Sequence, residues 1–207
     1  MRVLITGFGP FPRAPFNPSA LVAKALARRR RPALAGLVRQ AHVFATEYAC
    51  IDRELPRLFA QQPNVVLMFG LAGRARELRI ETRARNATSV LLADAGKYRP
   101  PRSVIEFGAP SGRRGPAPFA SLAAAVRCRA LPVRVSRDAG SYLCNYTYWR
   151  ALGAAPANRP LVLFVHIPLV SMAARQRRRP KRRSLSLQQI IGAGENLLIA
   201  LAAAARR

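Results

Sequence analysis

Apolar positions along this chain fall into two patterns. Val3-Leu4-Ile5-Thr6, Val65-Val66-Leu67-Met68-Phe69 and Leu161-Val162-Leu163-Phe164-Val165-His166-Ile167 are near-continuous runs of strand length, the mark of strands covered on both faces. Residues 37–45 alternate loosely and 131–135 form a shorter strand-like run, so both read as further strands. Between these runs the spacing turns helical. Helices are predicted over 20–26, with Pro18 in the first turn and basic residues after it, and over 51–59, with Leu55, Leu58 and Phe59 on one face. Further helices are predicted over 119–129, over 145–152, and from 184–187 onward with Leu187, Ile190, Ile191, Leu197, Leu198 and Leu201 as the apolar face. Strand and helix in alternation imply an α/β fold, a largely parallel sheet with helices on both sides. Half of the 207 residues are hydrophobic, enough for a real core, and the length suits a single domain over 1–207.

Two stretches depart from this rhythm. Residues 78–85 alternate strictly, with Leu78, Ile80, Thr82 and Ala84 on one face and Arg79, Glu81, Arg83 and Arg85 on the other. Glu81 is a lone carboxylate among arginines. Taken by itself the stretch favours a surface ion-pair ladder, worth little in stability; the alternative is an anion that orients a catalytic histidine. Residues 87–115 mix Pro, Gly and charge without periodicity and read as a long excursion, a lid or an oligomer contact.

Charge changes the picture of partners. The 35 Lys and Arg against 9 Asp and Glu give a net +26. Such an excess suits anionic surfaces, nucleic acid above all. Most of it is arginine in a chain rich in Ala, Arg and Pro, so compositional bias with arginines on solvated faces explains it as well, and nucleic acid is a conceivable but not an expected partner. Residues 175–183, basic at seven of nine positions, are the best candidate for any polyanion contact. Cys50, Cys128 and Cys144 have no CxxC spacing, and with only His42 and His166 beside them they argue against a zinc site. No metal or other cofactor is expected, since the GxxxxGK and GxGxxG phosphate loops are absent as well. An odd cysteine count suits a reducing compartment, and the first apolar run, stopped by Gly7 and Pro10, is no signal peptide. No run approaches the ~20 apolar residues of a membrane helix. The expectation is a cytoplasmic protein with no membrane partner.

The chemistry concentrates in Asp138-Ala139-Gly140-Ser141-Tyr142-Leu143-Cys144-Asn145-Tyr146, between a strand and a helix, with Gly140 and Ser141 read as turn and N-cap. Cys144 then sits in or near a first helical turn. Backbone N–H groups and the helix dipole there favour a thiolate and can hold a developing oxyanion. A small buried apolar residue is the competing reading. His166 ends the next strand, 22 residues on, which is expected to bring it to the same edge of the sheet as Cys144. It too reads either as a core histidine or as the base of a thiolate–imidazole pair. Loops at the carboxyl ends of strands line ligand crevices in open α/β sheets. Phe8 and Phe11, in such a loop, are core plugs or walls for a flat ligand.

With Cys144, His166 and Glu81 assembled, the chain resembles the pyroglutamyl peptidase I (pyrrolidone-carboxylate peptidase) family of cysteine peptidases. VLITGFGPFPRAPFNPS resembles that family's TGFxPFGG…NPS opening. GLAGRARELRIETRARN resembles its GQAGGR…ERVAIN block, AGSYLCNY its AGTFVCNH block, FVHIP its FIHIP block, and SLSLQQII the start of its final helix. Five blocks in register span nearly the whole length. The resemblance implies a three-layer α/β/α sandwich with a mostly parallel, mixed central sheet, commonly assembled as dimers or tetramers. It implies Cys144 as nucleophile, His166 as base and acid, and Glu81 as the group orienting His166. Phe8 and Phe11 would be aromatic walls, Asn17 a polar contact to the lactam, and Leu71, Tyr142 and Leu143 further pocket lining. The activity implied is removal of an N-terminal pyroglutamyl residue from a peptide with a blocked N-terminus, through an acyl-enzyme. The alternative is a weak or inactive relative acting as a basic nucleic-acid-binding module. Departures cluster at the rim. Leu71 replaces the family's glutamine, Arg13 its second glycine, Leu91 its arginine and Tyr146 its histidine.

Overall fold

The continuous apolar runs become the middle of one sheet. In a computed structural model of the chain, which describes residues 1–11, 14–155, 160–170 and 184–207, β1 (Arg2–Phe8), β3 (Val65–Leu71) and β8 (Leu161–Ile167) lie side by side and parallel. β2 (Val38–Phe44) pairs parallel with β1 on the outer side. On the other flank β4 (Leu78–Glu81) runs antiparallel to β8, and β7 (Val133–Ser136) follows parallel to β4. The strand order is β2-β1-β3-β8-β4-β7. The three inner runs are covered on both faces, which is why their sequences hardly alternate.

α1 (Pro18–Arg28), α3 (Phe119–Arg127) and α5 (Leu187–Ala204) pack on one face, where Ile5, Leu67, Ile80 and Val165 meet Val22, Leu122 and Leu197. α2 (Tyr48–Phe59) and α4 (Leu143–Gly153) cover the other, where Leu4, Met68 and Phe164 meet Ile51, Tyr148 and Trp149. The architecture is the expected three-layer α/β/α sandwich. α5 starts with a capping box, Ser186 and Gln189 satisfying each other's backbone N–H groups. By length and composition α5 is apolar enough to cross a membrane, but Ile190, Leu197, Leu198 and Leu201 are buried against the neighbouring helices and sheet. Its buried Glu195 is met by Arg29 and Arg31 reaching from the end of α1.

The strictly alternating 78–85 stretch is not one strand. At Thr82 both the amide and the hydroxyl donate to the Ser136 carbonyl, and the chain leaves the main sheet there. Residues Arg83–Arg85 form β5, which pairs antiparallel with β6 (Gly112–Arg114) at the far end of the 87–115 excursion. Period-two alternation continues through the break, so the sequence pattern is blind to it.

Candidate active site

α4 is delivered by the loop 137–142. Asp138 Oδ1 accepts the Gly140 N–H at 2.9 Å, and Gly140 takes a left-handed φ of +85° that a side chain would resist. The N-cap is the extended residue Tyr142, not Ser141, and no side chain caps it. The first intrahelical bond runs from Tyr146 N–H to the Tyr142 carbonyl, leaving the amides of Leu143, Cys144 and Asn145 at an uncapped helix start. Cys144 is the second residue of the helix and is half-buried.

Three side chains fix this helix end. Asn145, fully buried, accepts the Arg85 N–H and donates to the carbonyls of Arg85 and Ala87. Thr147 Oγ1 donates to the Leu143 carbonyl, and the Tyr148 hydroxyl donates to the Glu81 carbonyl. α4 is therefore tied to the same segment that carries Glu81. Asn145 was missed by reasoning from residue chemistry, although it is the residue that follows the cysteine in the quoted block.

Strand direction corrects one expectation. β7 and β8 are antiparallel to each other across β4, so their carboxyl ends face opposite rims of the sheet. Cys144 and His166 do not meet by sharing a rim. The 137–142 loop turns back and α4 lies over the sheet face, which brings Cys144 above Gly70, the register partner of His166 on β3. A methyl group on Gly70 would come 2.7 Å from Cys144 Sγ and 2.8 Å from the Phe164 ring. Gly70 is the second residue missed from sequence; its only signal was a glycine closing an apolar strand.

His166 is 8% exposed and hydrogen-bonds to Cys144 on one side, while its Nδ1 lies 2.9 Å from Glu81 Oε1 on the other. Glu81 is fully buried and its Oε2 has no hydrogen-bond partner among the described residues. The surface-ladder reading of Glu81 therefore fails. Arg79 pairs with Glu77 instead, and the β4 pleat turns Glu81 inward under α4. Burial alone would push the imidazole down. The hydrogen bond and charge of Cys144, followed by those of Glu81, outweigh it and raise His166 to about 9. The imidazolium is thus the ordinary form at neutral pH.

The other two cysteines have different surroundings. Cys50 is 1% exposed, and burial, with the Glu54 carboxylate beside it, pushes its thiol up to about 11. Cys128 is exposed at the end of α3. Neither is described with an imidazole against its sulfur.

The six pocket candidates separate. Phe11 and Tyr142 face each other, with ring centroids 6.4 Å apart, and Tyr142 donates its hydroxyl to the Ala93 carbonyl. Phe8 is 2% exposed and packs on Phe44, so it backs the loop from the core. Leu143 is likewise buried, and Leu71 is half-buried beside Gly70. Asn17 caps α1. Its Oδ1 accepts from the Ser19 amide and hydroxyl and its Nδ2 donates to the Gly9 carbonyl, which leaves one N–H without an acceptor among the described residues. The 87–115 excursion, with Tyr48, Asp52 and Tyr146, encloses a cavity of about 510 Å³ next to this end of α4.

A model of the pyroglutamyl peptidase family matches residues 1–207. The chain belongs to that family. Its members are cysteine-type hydrolases, and the sequence is similar to the pyrrolidone-carboxylate peptidase of Gloeobacter violaceus, 32% identical over 81% of this chain and 82% of the relative. Among solved structures, the pyrrolidone carboxyl peptidase of Thermococcus litoralis superposes with a TM-score of 0.86 at 26% identity, over 99% of this chain and 95% of that one. That of Thermus thermophilus gives 0.84 at 28%, over 96% and 99%. The nucleic-acid-binding alternative finds no support in these likenesses, and residues 175–183, on which it relied, lie outside the described residues.

Proposed function

We propose that this cysteine peptidase removes N-terminal pyroglutamyl residues from peptides, with Cys144 as nucleophile, His166 as acid and base and Glu81 as the residue that positions His166. The observation that carries the reading is the imidazole of His166 hydrogen-bonded to Cys144 on one side and to the buried Glu81 carboxylate on the other. A pyroglutamyl group has no free amine, so its site needs no carboxylate. It needs a flat apolar slot and an amide-matching hydrogen bond. Phe11 and Tyr142 form the slot, with Phe8, Leu71 and Leu143 behind it, and the uncommitted N–H of Asn17 is the lactam donor.

In this reading the Cys144 thiolate attacks the pyroglutamyl carbonyl carbon and forms the carbon–sulfur bond. The uncapped amides of the first α4 turn hold the oxyanion, each good donor contributing roughly 3–4 kcal/mol. As the carbon–nitrogen bond breaks, the His166 imidazolium gives its proton to the departing amine. Water then attacks the thioester while neutral His166 takes its proton, and the thiolate leaves. We also propose that copies of the chain associate, since Leu91 and Phe107 on the excursion are 80% and 71% exposed. The three free cysteines suit a reducing cytoplasm. The test is release of a fluorescent amine from a pyroglutamyl-amide reporter. Turnover is expected from the parent chain and none from a folded Cys144→Ala chain; a folded parent that releases nothing from any pyroglutamyl substrate overturns the reading.

A further inference from the structure

A second pocket, of about 400 Å³, lies where the β5–β6 ribbon meets the end of β7, and Thr82, Arg83, Ser111, Arg114 and Arg137 line it. Its charge is one-sided. Arg83 and Arg114 are direct cross-strand partners in the ribbon, an arrangement that costs stability because like charges stand opposite one another. Arg137 adds a third cation from the start of the loop leading to Cys144. None of these three guanidinium groups has an ion-pair or hydrogen-bond partner among the described residues, and no carboxylate lines the cavity. Asp138, the next residue along, feels the charge of Arg83 but spends its hydrogen bonds on Arg85 and the Gly140 amide and does not line the cavity.

One atom sharpens the contrast. Arg83 Nε is buried with no acceptor. A buried N–H donor left unmet is costly, so it calls for an acceptor that the chain does not supply. The other arginine-rich hollow, formed by Arg30, Arg31 and Arg39, differs in kind. There Arg39 Nε is likewise buried without an acceptor, but Arg31 is held by the Glu195 carboxylate and Arg39 Nη1 donates to the carbonyls of Leu26 and Arg29.

The geometry points to a binding site for a small phosphate-bearing anion, held by the guanidinium groups of Arg83, Arg114 and Arg137 with the Ser111 hydroxyl at its edge. Planar N–H forks suit tetrahedral oxyanions, and the cavity is of small-ligand size. The site lies apart from the Cys144–His166 pair. It touches the residue after Glu81 and the residue that opens the Cys144 loop, so occupancy braces both segments.

The test is calorimetric titration of the full chain with inorganic phosphate and, separately, with phenyl phosphate, at ionic strength held constant with sodium chloride. Saturable binding of one anion per chain is expected, about tenfold weaker in Arg83→Gln and in Arg137→Gln. Arg57→Gln, which removes the same charge from an exposed face of α2, is expected to bind as the parent does. Tighter binding of the ester identifies an organic phosphate as the ligand; equal or tighter binding of the inorganic ion identifies free phosphate. Arg114→Gln supplies a readout independent of the titration. It should raise the melting temperature in phosphate-free buffer, by removing the cross-strand repulsion, and abolish the rise that phosphate gives the parent. Non-saturable binding, equal loss in Arg57→Gln, or affinity for a single-stranded oligonucleotide without affinity for either phosphate would each overturn the proposal.

Discussion

Gly70 and Cys144 are in contact range by design of the sheet: the glycine's bare Cα leaves the space that the thiol occupies, and a methyl there would sit 2.7 Å from the sulfur. The same methyl would press on Phe164, which itself packs edge-on against His166 at 5.0 Å. Gly70→Ala should therefore disturb both partners of the pair at once. We expect kcat to fall by at least tenfold and stability by about 1–3 kcal/mol, the usual cost of overpacking. Reporter kinetics and urea unfolding on the same sample check it; parent-like kcat would show that the thiol has room to move.

Replacing Glu81 by Gln keeps the shape and removes the charge. His166 loses one of the influences that hold its proton, so the alkaline limb of kcat/KM, expected near pH 9 in the parent, should move to lower pH. The rate itself should drop by about 10²–10⁴-fold, the range for a general acid–base contribution. A pH–rate profile of both proteins decides it, and an unmoved limb counts against the positioning role.

The raised imidazole also makes stability depend on pH. Folding lifts His166 from its ordinary 6.5 to about 9, so the folded state binds this proton more tightly. Its contribution is complete below about pH 6.5 and is lost as pH rises through about 9. Melting temperatures taken across that window should decline in the parent more steeply than in His166→Gln.

Asn145 makes three hydrogen bonds from a fully buried position. Asn145→Ala should cost about 2–4 kcal/mol, because the Arg85 N–H and two carbonyls lose their partner. It should also loosen the start of α4. Hydrogen exchange is expected to accelerate in α4 and β5 together, with the rest of the sheet unchanged.

Leu91→Asp together with Phe107→Asp tests association. Light scattering should report a species larger than one chain for the parent and one chain for the double variant. A parent that runs as a single chain removes the oligomer reading.

Pattern alone determined the layers. Runs such as 65–69 and 161–167 are too evenly apolar for anything but strands covered on both sides, and burial of that kind is a local property of side chains. The types of the reactive groups were equally legible: one cysteine at a helix start, one histidine closing a strand, one carboxylate among arginines. What linear order withheld was direction and depth. The antiparallel turn at β4 reverses β7 relative to β8, and α4 has to fold back over the sheet for Cys144 to reach His166. Glu81 reads as surface in a row of arginines, yet it is buried, because the pleat and the helix above it together decide which side faces water. Both are consequences of how strands from distant parts of the chain pair, and a period-two pattern carries no record of its partner.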